Sequence, residues 1–171
     1  MSAWRQARAI ALLPGTVTVL VPGIVLVGAN TNVGWGLGPV AAALPVLLGL
    51  ALIAAGFALW LWTVRLLARI GKGTLAPWDP TRRLVVAGPY RHVRNPMITA
   101  VLAVLAGEVA LFGSLPLLIW FAAFFAINHA LFQLHEEPGL ARRFGDEYRA
   151  YKRNVPRWLP RRTPWSPLQS G

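Results

Sequence analysis

Cysteine is absent from the chain, and acidic residues are scarce, with six Asp and Glu set against 17 Lys and Arg. The first absence excludes disulfides, thiolate zinc sites and cysteine nucleophiles. Charge of either sign is also thin, at 13% of 171 residues against 56% hydrophobic, and the long uncharged runs exceed what a soluble domain could bury. One integral membrane domain, residues 1–171, is the reading. The runs lack the period-two alternation of barrel strands, and hydrocarbon offers no partner for backbone amides, so helices are the remaining solution. The expected fold class is all-α: a polytopic membrane helical bundle of about four transmembrane helices plus a C-terminal amphipathic interfacial helix.

Four spans can be placed, at Ile10 to Val27, Val40 to Thr63, Pro96 to Phe112 and Leu115 to Leu134. Pro14, Pro22 and Pro45 fall inside the first two and predict kinks, which neighbouring helices can accommodate. The first span lacks a small-residue cleavage pattern and is read as retained. Basic residues are missing from the connections at Gly28 to Pro39 and Gly113-Ser114. They gather instead before the first span (Arg5, Arg8), between the second and third, and after the fourth. By the positive-inside rule both termini and the middle loop face the cytoplasm. Abundant alanine, arginine and leucine suit a bacterial inner membrane. A net charge of +11 divided among three juxtamembrane segments argues for membrane lipids as partners and against nucleic acid.

The middle loop, Gly71 to Asn95, carries GKGTLAPWDP, the apolar patch LVVAG and then the polar block GPYRHVRNP. Its length marks it as functional, and it reads as an ordered lid on the membrane face with Trp78 at headgroup level. Beyond the fourth span, Leu140, Phe144, Tyr148, Tyr151 and Val155 recur every three or four residues. This is the stripe of one basic amphipathic helix ending near Pro156, and Arg161 to Gly171 reads as a loose tail. The third and fourth spans form a hairpin, so GPYRHVRNP and the second polar block, HEEP at His135 to Pro138, return to one face of the bilayer.

Taken together, GPYRHVRNPM and, after the hairpin, HEEPGLARRFGDEYRAYKRNVPRWLP resemble the isoprenylcysteine carboxyl methyltransferase family of integral membrane enzymes. The pattern is also similar to phospholipid N-methyltransferases through NPM and EEP, and it covers about Gly71 to Pro160. The resemblance implies methyl transfer from S-adenosylmethionine, held between the cytoplasmic ends of the last two spans and the C-terminal helix. Such a cofactor requires a cation for its carboxylate, acceptors for its hydroxyls and ammonium, and an aromatic or apolar wall. Arg91 and Arg94 supply forked donors, Glu136 or Glu137 the acceptor, and Tyr90, Phe144 and Tyr148 the wall. Gly88, His92, Asn95 and Pro96 complete the expected cofactor-binding set, Arg94 and Glu137 are the expected catalytic pair, and no metal ligand set is expected. Gly71 and Gly73 resemble the glycine pair of the phospholipid enzymes, a weak signal alone.

Displacement at a methyl carbon already activated by positive sulfur needs alignment more than acid or base. The acceptor, a lipophilic small molecule or lipid, is left open: a carboxylate would be held by an arginine such as Arg94, whereas an amine would first give its proton to a glutamate or histidine. Competing structural readings stand beside these. Glu136 and Glu137 precede Pro138 at a helix start, where carboxylates cap, and Arg91 and Arg94 also serve as topology charges. Glu108, inside the third span, reads as structural, with Asn128 and His129 as interhelical hydrogen-bonding groups. Asn95, Ile98 and Ala100 stand where many members of the methyltransferase family carry histidine, tyrosine and glycine. Two other functions compete: a non-enzymatic basic membrane scaffold, and a sterol-reductase-like, nicotinamide-dependent enzyme.

Overall fold

The computed structural model describes residues 15–29, 32–71 and 83–166. Arg5, Arg8, the start of the first span through Pro14, Lys72, Gly73, Trp78, Arg82 and residues 167–171 lie outside the described residues. Among the described residues five α-helices follow one another: α1 (Val21–Gly28), α2 (Pro39–Leu66), α3 (Pro96–Phe112), α4 (Leu115–Leu131) and α5 (Glu137–Asn154). No strand occurs among the described residues. The segments Thr16–Gly36, Pro39–Ile70 and Leu115–Asn154 are long and apolar enough to cross a membrane, and α3 is a shorter apolar helix. At 17 residues, α3 extends about 26 Å, close to the thickness of a bilayer's hydrocarbon. Leu44, Leu47, Phe57, Leu118, Ile119 and Ile127 are exposed, as expected of side chains solvated by lipid. None of α3's residues is exposed.

Proline leaves a local signature. A proline in a helix cannot bond the carbonyl four residues back and collides with it. Pro22 and Pro138 each follow a five-residue π-turn, Thr16–Leu20 and Phe132–Glu136. In each case the next residue's amide reaches five back, Val21 to Thr16 and Glu137 to Phe132, and the widened turn makes room for the ring. Pro45 sits within α2 without such a turn. The helix entering HEEP is therefore continuous with α4, and Pro138 does not open a separate one.

The chain divides into two compact units. In the first, Met1–Ala58 with Ala100–Ala126, α2 and α3 meet along small residues. A Cβ on Gly56 would lie 2.7 Å from the Ala100 carbonyl oxygen, and one on Gly107 would lie 2.7 Å from that of Gly49. Such backbone approach replaces the hydrophobic drive that lipid removes. Alanine at position 56 gains up to about 1 kcal/mol of helix propensity but must push a backbone aside, at about 1–3 kcal/mol. Gly56→Ala is thus expected to lower the thermal unfolding midpoint in detergent, while Gly23→Ala, with nothing within 4 Å, should not. In the connection to α2, Trp35 adopts φ 64, and its indole Nε1 donates to the Ala110 carbonyl at 2.7 Å.

The second unit comprises Leu59–Thr99 and Ile127–Gly171. Its core is Tyr148, Tyr151, Val155 and Trp165, with Leu84, Val86, Leu140, Ala141 and Phe144 packed on it. The whole predicted stripe is present, but α5 is not one straight rod. Gly145 has φ 53 and ψ −128, a corner reserved for glycine, and it splits α5 into residues 137–144 and 146–154. A second expectation also needs correcting: the C-terminal segment is not loose as far as Ser166. Trp165 is buried against Tyr151 at 5.8 Å between ring centroids. Trp158 donates to His129 Nδ1 at 3.0 Å and stacks on it.

Candidate functional site

The first polar block opens at Gly88, where φ is +52 and a Cβ would lie 2.9 Å from Leu66 Cδ1 and 3.2 Å from the Trp62 ring. Glycine there lets the single 3-10 turn Gly88–Arg91 lie against the last turns of α2. The chain then pairs with the C-terminal segment. The Arg91 Nε donates to the Trp165 carbonyl at 2.7 Å, and the Trp165 amide donates to Arg91 O at 3.0 Å. His92 Nδ1 lies 2.8 Å from Arg161 O, and the Arg161 amide donates to His92 O. The Arg94 amide donates to Pro156 O at 2.9 Å. Three reciprocal or single backbone ties thus fix the block before α3 begins. Asn95 and Pro96, both buried, open that helix, with Asn95 Oδ1 accepting the Ile98 amide at 3.4 Å.

The second block meets the first at Glu137. Its side chain is 2% exposed, and three cations surround it: Arg94 Nη1 at 2.6 Å and Arg157 Nε at 2.8 Å on Oε1, and Lys152 Nζ at 2.7 Å beside Oε2. Arg157 also reaches Gln133. Lys152 stands 15 residues along α5 from Glu137, about 22 Å in a straight helix, so this pair exists only because Gly145 turns the chain back. Burial by itself would raise the Glu137 carboxyl, but hydrogen bonds from Arg157 and Lys152 and the charges of Arg94 and Arg157 outweigh it and hold the pKa below the ordinary value. No side-chain capping bond forms at Glu136, so capping does not account for the glutamate pair.

Glu136 differs from its neighbour. It is exposed and makes no ion pair among the described residues. Desolvation by surrounding protein, then the Glu137 charge, raises its pKa to about 6, a shift that its accessible surface will temper by screening. Tyr90 is raised by burial and by Glu136, and its carbonyl accepts the Tyr151 hydroxyl at 2.7 Å. Tyr148 is raised first by burial and then by Glu137. Its hydroxyl sits near the Arg94 guanidinium, yet neither Tyr148 Oη nor Arg94 Nε makes a hydrogen bond of ordinary geometry among the described residues, and both are buried. A buried donor without an acceptor is unfavourable by about 1–3 kcal/mol, so these two atoms suit a ligand that brings an acceptor oxygen.

Of the expected site residues, the structure gathers Arg94, Glu137 and Tyr148 at one centre, with Tyr90 and Glu136 beside it. Arg91 and His92 instead point into the C-terminal segment, Gly88 packs on α2, and Asn95 and Pro96 start α3. Phe144 lies in the core with Arg143 5.8 Å over its ring. Glu108 Oε2 is buried without a hydrogen bond among the described residues. Lys152, Arg157 and Trp165 escaped the reading of the sequence. One signal for Lys152 was present, since Gly145 followed by Asp146-Glu147 reads as a helix stop and an acidic restart.

The model of the Phospholipid methyltransferase family matches residues 44–147, more than half the chain. Neither a curated protein nor a solved structure matches. The family is one of methyltransferases, which supports an enzyme that transfers a methyl group. With two polar blocks joined by a buried ion pair at the end of apolar helices, and a family match running through both, the chain belongs to the phospholipid methyltransferase family of integral membrane proteins.

Proposed function

We propose that this chain, acting as a single membrane domain, transfers a methyl group from S-adenosylmethionine to a lipophilic or membrane-partitioned acceptor, a carboxylate or an amine. The reaction takes place at the cytoplasmic face of a bacterial inner membrane, with both termini on that side. The observation that carries the reading is the meeting of Arg94 and Glu137 at 2.6 Å from two blocks 43 residues apart, beside two buried donors that lack acceptors among the described residues. The donor residues present fit a cofactor bearing a carboxylate. When bound, that cofactor supplies a methyl carbon already activated by positive sulfur.

The chain's part is alignment and exclusion of water. Arg94 presents a positive, buried donor. Tyr90 and Tyr148 form an aromatic wall, a surface suited to a sulfonium cation. Gly88, Arg91, His92, Asn95 and Pro96 hold the block in place through the packing and ties already described. When the acceptor is an amine, Glu136 takes up its proton. A carboxyl at about 6 is ionised at neutral pH and stands nearer an ammonium in basicity than an ordinary carboxylate does.

S-adenosylhomocysteine is expected to raise the melting temperature of the purified, folded protein, since a ligand selective for the native state at a hundredfold its Kd adds about 2.7 kcal/mol. No shift at saturation would overturn the reading. Methyl-labelled cofactor incubated with the protein in native lipid extract should then place the label in one lipid fraction, whose headgroup identifies the acceptor as carboxylate or amine.

A further inference from the structure

Glu137 brings one negative charge to its cluster, and Arg94, Lys152 and Arg157 bring three positive ones. Lys152 keeps half of its side chain exposed, so solvent compensates it. Arg94 and Arg157 are 8% and 17% exposed and share the single oxygen Oε1, which leaves about one buried positive charge without a counter-ion among the described residues. Buried charge is tolerated when it is paired. Glu136 does not pair with it, as no ion pair reaches Glu136 among the described residues. The excess positive charge coincides with two donors, Arg94 Nε and Tyr148 Oη, that have no hydrogen-bond partner among the described residues; Glu137 Oε2, facing Lys152, is the third such atom of the cluster.

We propose that Arg94 Nε and Tyr148 Oη are the paired donors of a receptor for a ligand oxyanion, a carboxylate or a phosphate, and that Glu137, Lys152 and Arg157 are positioning residues that aim Arg94 without touching the ligand. The proposal rests on the methyl-transfer reading for the source of that oxyanion, either the amino-acid carboxylate of the cofactor or the phosphate of a lipid acceptor. Glu137 Oε1 is taken by Arg94 and Arg157, and Oε2 faces Lys152 at 2.7 Å without a hydrogen bond of ordinary geometry among the described residues. Tyr148, Lys152 and Arg157 all lie beyond residue 147, where the family match ends. Both receptor atoms are closed to solvent, so binding has to move a side chain.

The test uses the full chain in detergent, with Arg157→Gln, Arg157→Lys and Tyr148→Phe beside the wild type. Calorimetric titration compares S-adenosylhomocysteine with 5′-methylthioadenosine, which keeps the nucleoside and sulfur but lacks the carboxylate arm. If the oxyanion is the cofactor's, Arg157→Gln and Tyr148→Phe weaken S-adenosylhomocysteine about tenfold, the scale of a hydrogen bond to a charged group. Methylthioadenosine affinity stays put, and Arg157→Lys recovers part of the loss. If it is the lipid's, cofactor affinity is unchanged and KM for the acceptor lipid rises about tenfold with little change in kcat. In that case inorganic phosphate also raises the melting temperature of the wild type but not of Arg157→Gln.

Tyr148→Phe removes one oxygen from a packed ring and is the variant expected to stay folded. Wild-type values for both ligands, for acceptor KM and for phosphate protection in folded Tyr148→Phe would overturn the proposal. Should the wild type bind no S-adenosylhomocysteine at all, methyl transfer is the reading that fails. Phosphate protection that depends on Arg157 would still uphold the receptor, and its absence would overturn that too.

Discussion

Glu137→Ala is expected to be the most damaging single substitution in the described structure, lowering stability by about 3–5 kcal/mol, the usual consequence of removing one partner from a buried ion cluster. Arg94 and Arg157 would then be buried with no counter-ion among the described residues. Glu137→Gln is not a rescue. It keeps one acceptor oxygen but places two further N–H donors among groups that are already donors. Both variants are checked by thermal unfolding in detergent and by retained helical circular dichroism below the transition.

The same residue predicts a pH dependence with a definite sign. Its carboxyl lies below the ordinary value of 4.5 when folded, so its contribution is present above that value and fades as pH falls through the folded one. Glu136 acts in a different window. Raised to about 6 from 4.5, it binds protons more tightly in the folded chain, and what it contributes is lost as pH rises from 4.5 to 6. Wild-type melting temperature should therefore fall below pH 4.5 more steeply than that of Glu137→Gln. A parallel decline in the two proteins would show that Glu137 is not the titrating group.

How much of this was legible in the sequence depends on the kind of signal. The third span was predicted at Pro96 to Phe112 and α3 occupies those residues, because a proline suited to the first helical turn and a glycine with φ +59 at 113 punctuate both ends. The meeting of the two blocks followed from the hairpin. The stripe Leu140, Phe144, Tyr148, Tyr151, Val155 correctly named the residues that share a core, but periodicity does not register an interruption when the step from 144 to 148 carries across Gly145 in the same phase. That interruption hid the partners of Glu137, since Lys152 and Arg157 become its neighbours only through the reversal. The ties from Arg91, His92 and Arg94 to the C-terminal segment run largely through backbone atoms, which leave no trace in residue type. Arg91 and His92 were read from the motif as ligand groups for the same reason.

Gly145→Val is the substitution that should separate fold from site. Nothing lies within 4 Å of a Cβ built at this position, so no clash confuses the result, and the whole penalty is conformational. A branched residue held at φ 53 and ψ −128 is strained by about 1–3 kcal/mol. A helix continuing straight through 145 relieves that strain and carries Lys152 about 22 Å from Glu137. The spans themselves do not depend on the turn, so helical content should be close to wild type. Tyr148 and Tyr151 would leave the Trp165 core, the Tyr151 bond to the Tyr90 carbonyl would break, and Arg94 would lose the surroundings that hold it. The expected outcome is a lower melting temperature together with loss of S-adenosylhomocysteine binding, with Gly145→Ala intermediate in both. Binding retained in Gly145→Val at full helical content would mean that the reversal at this glycine does not assemble the site.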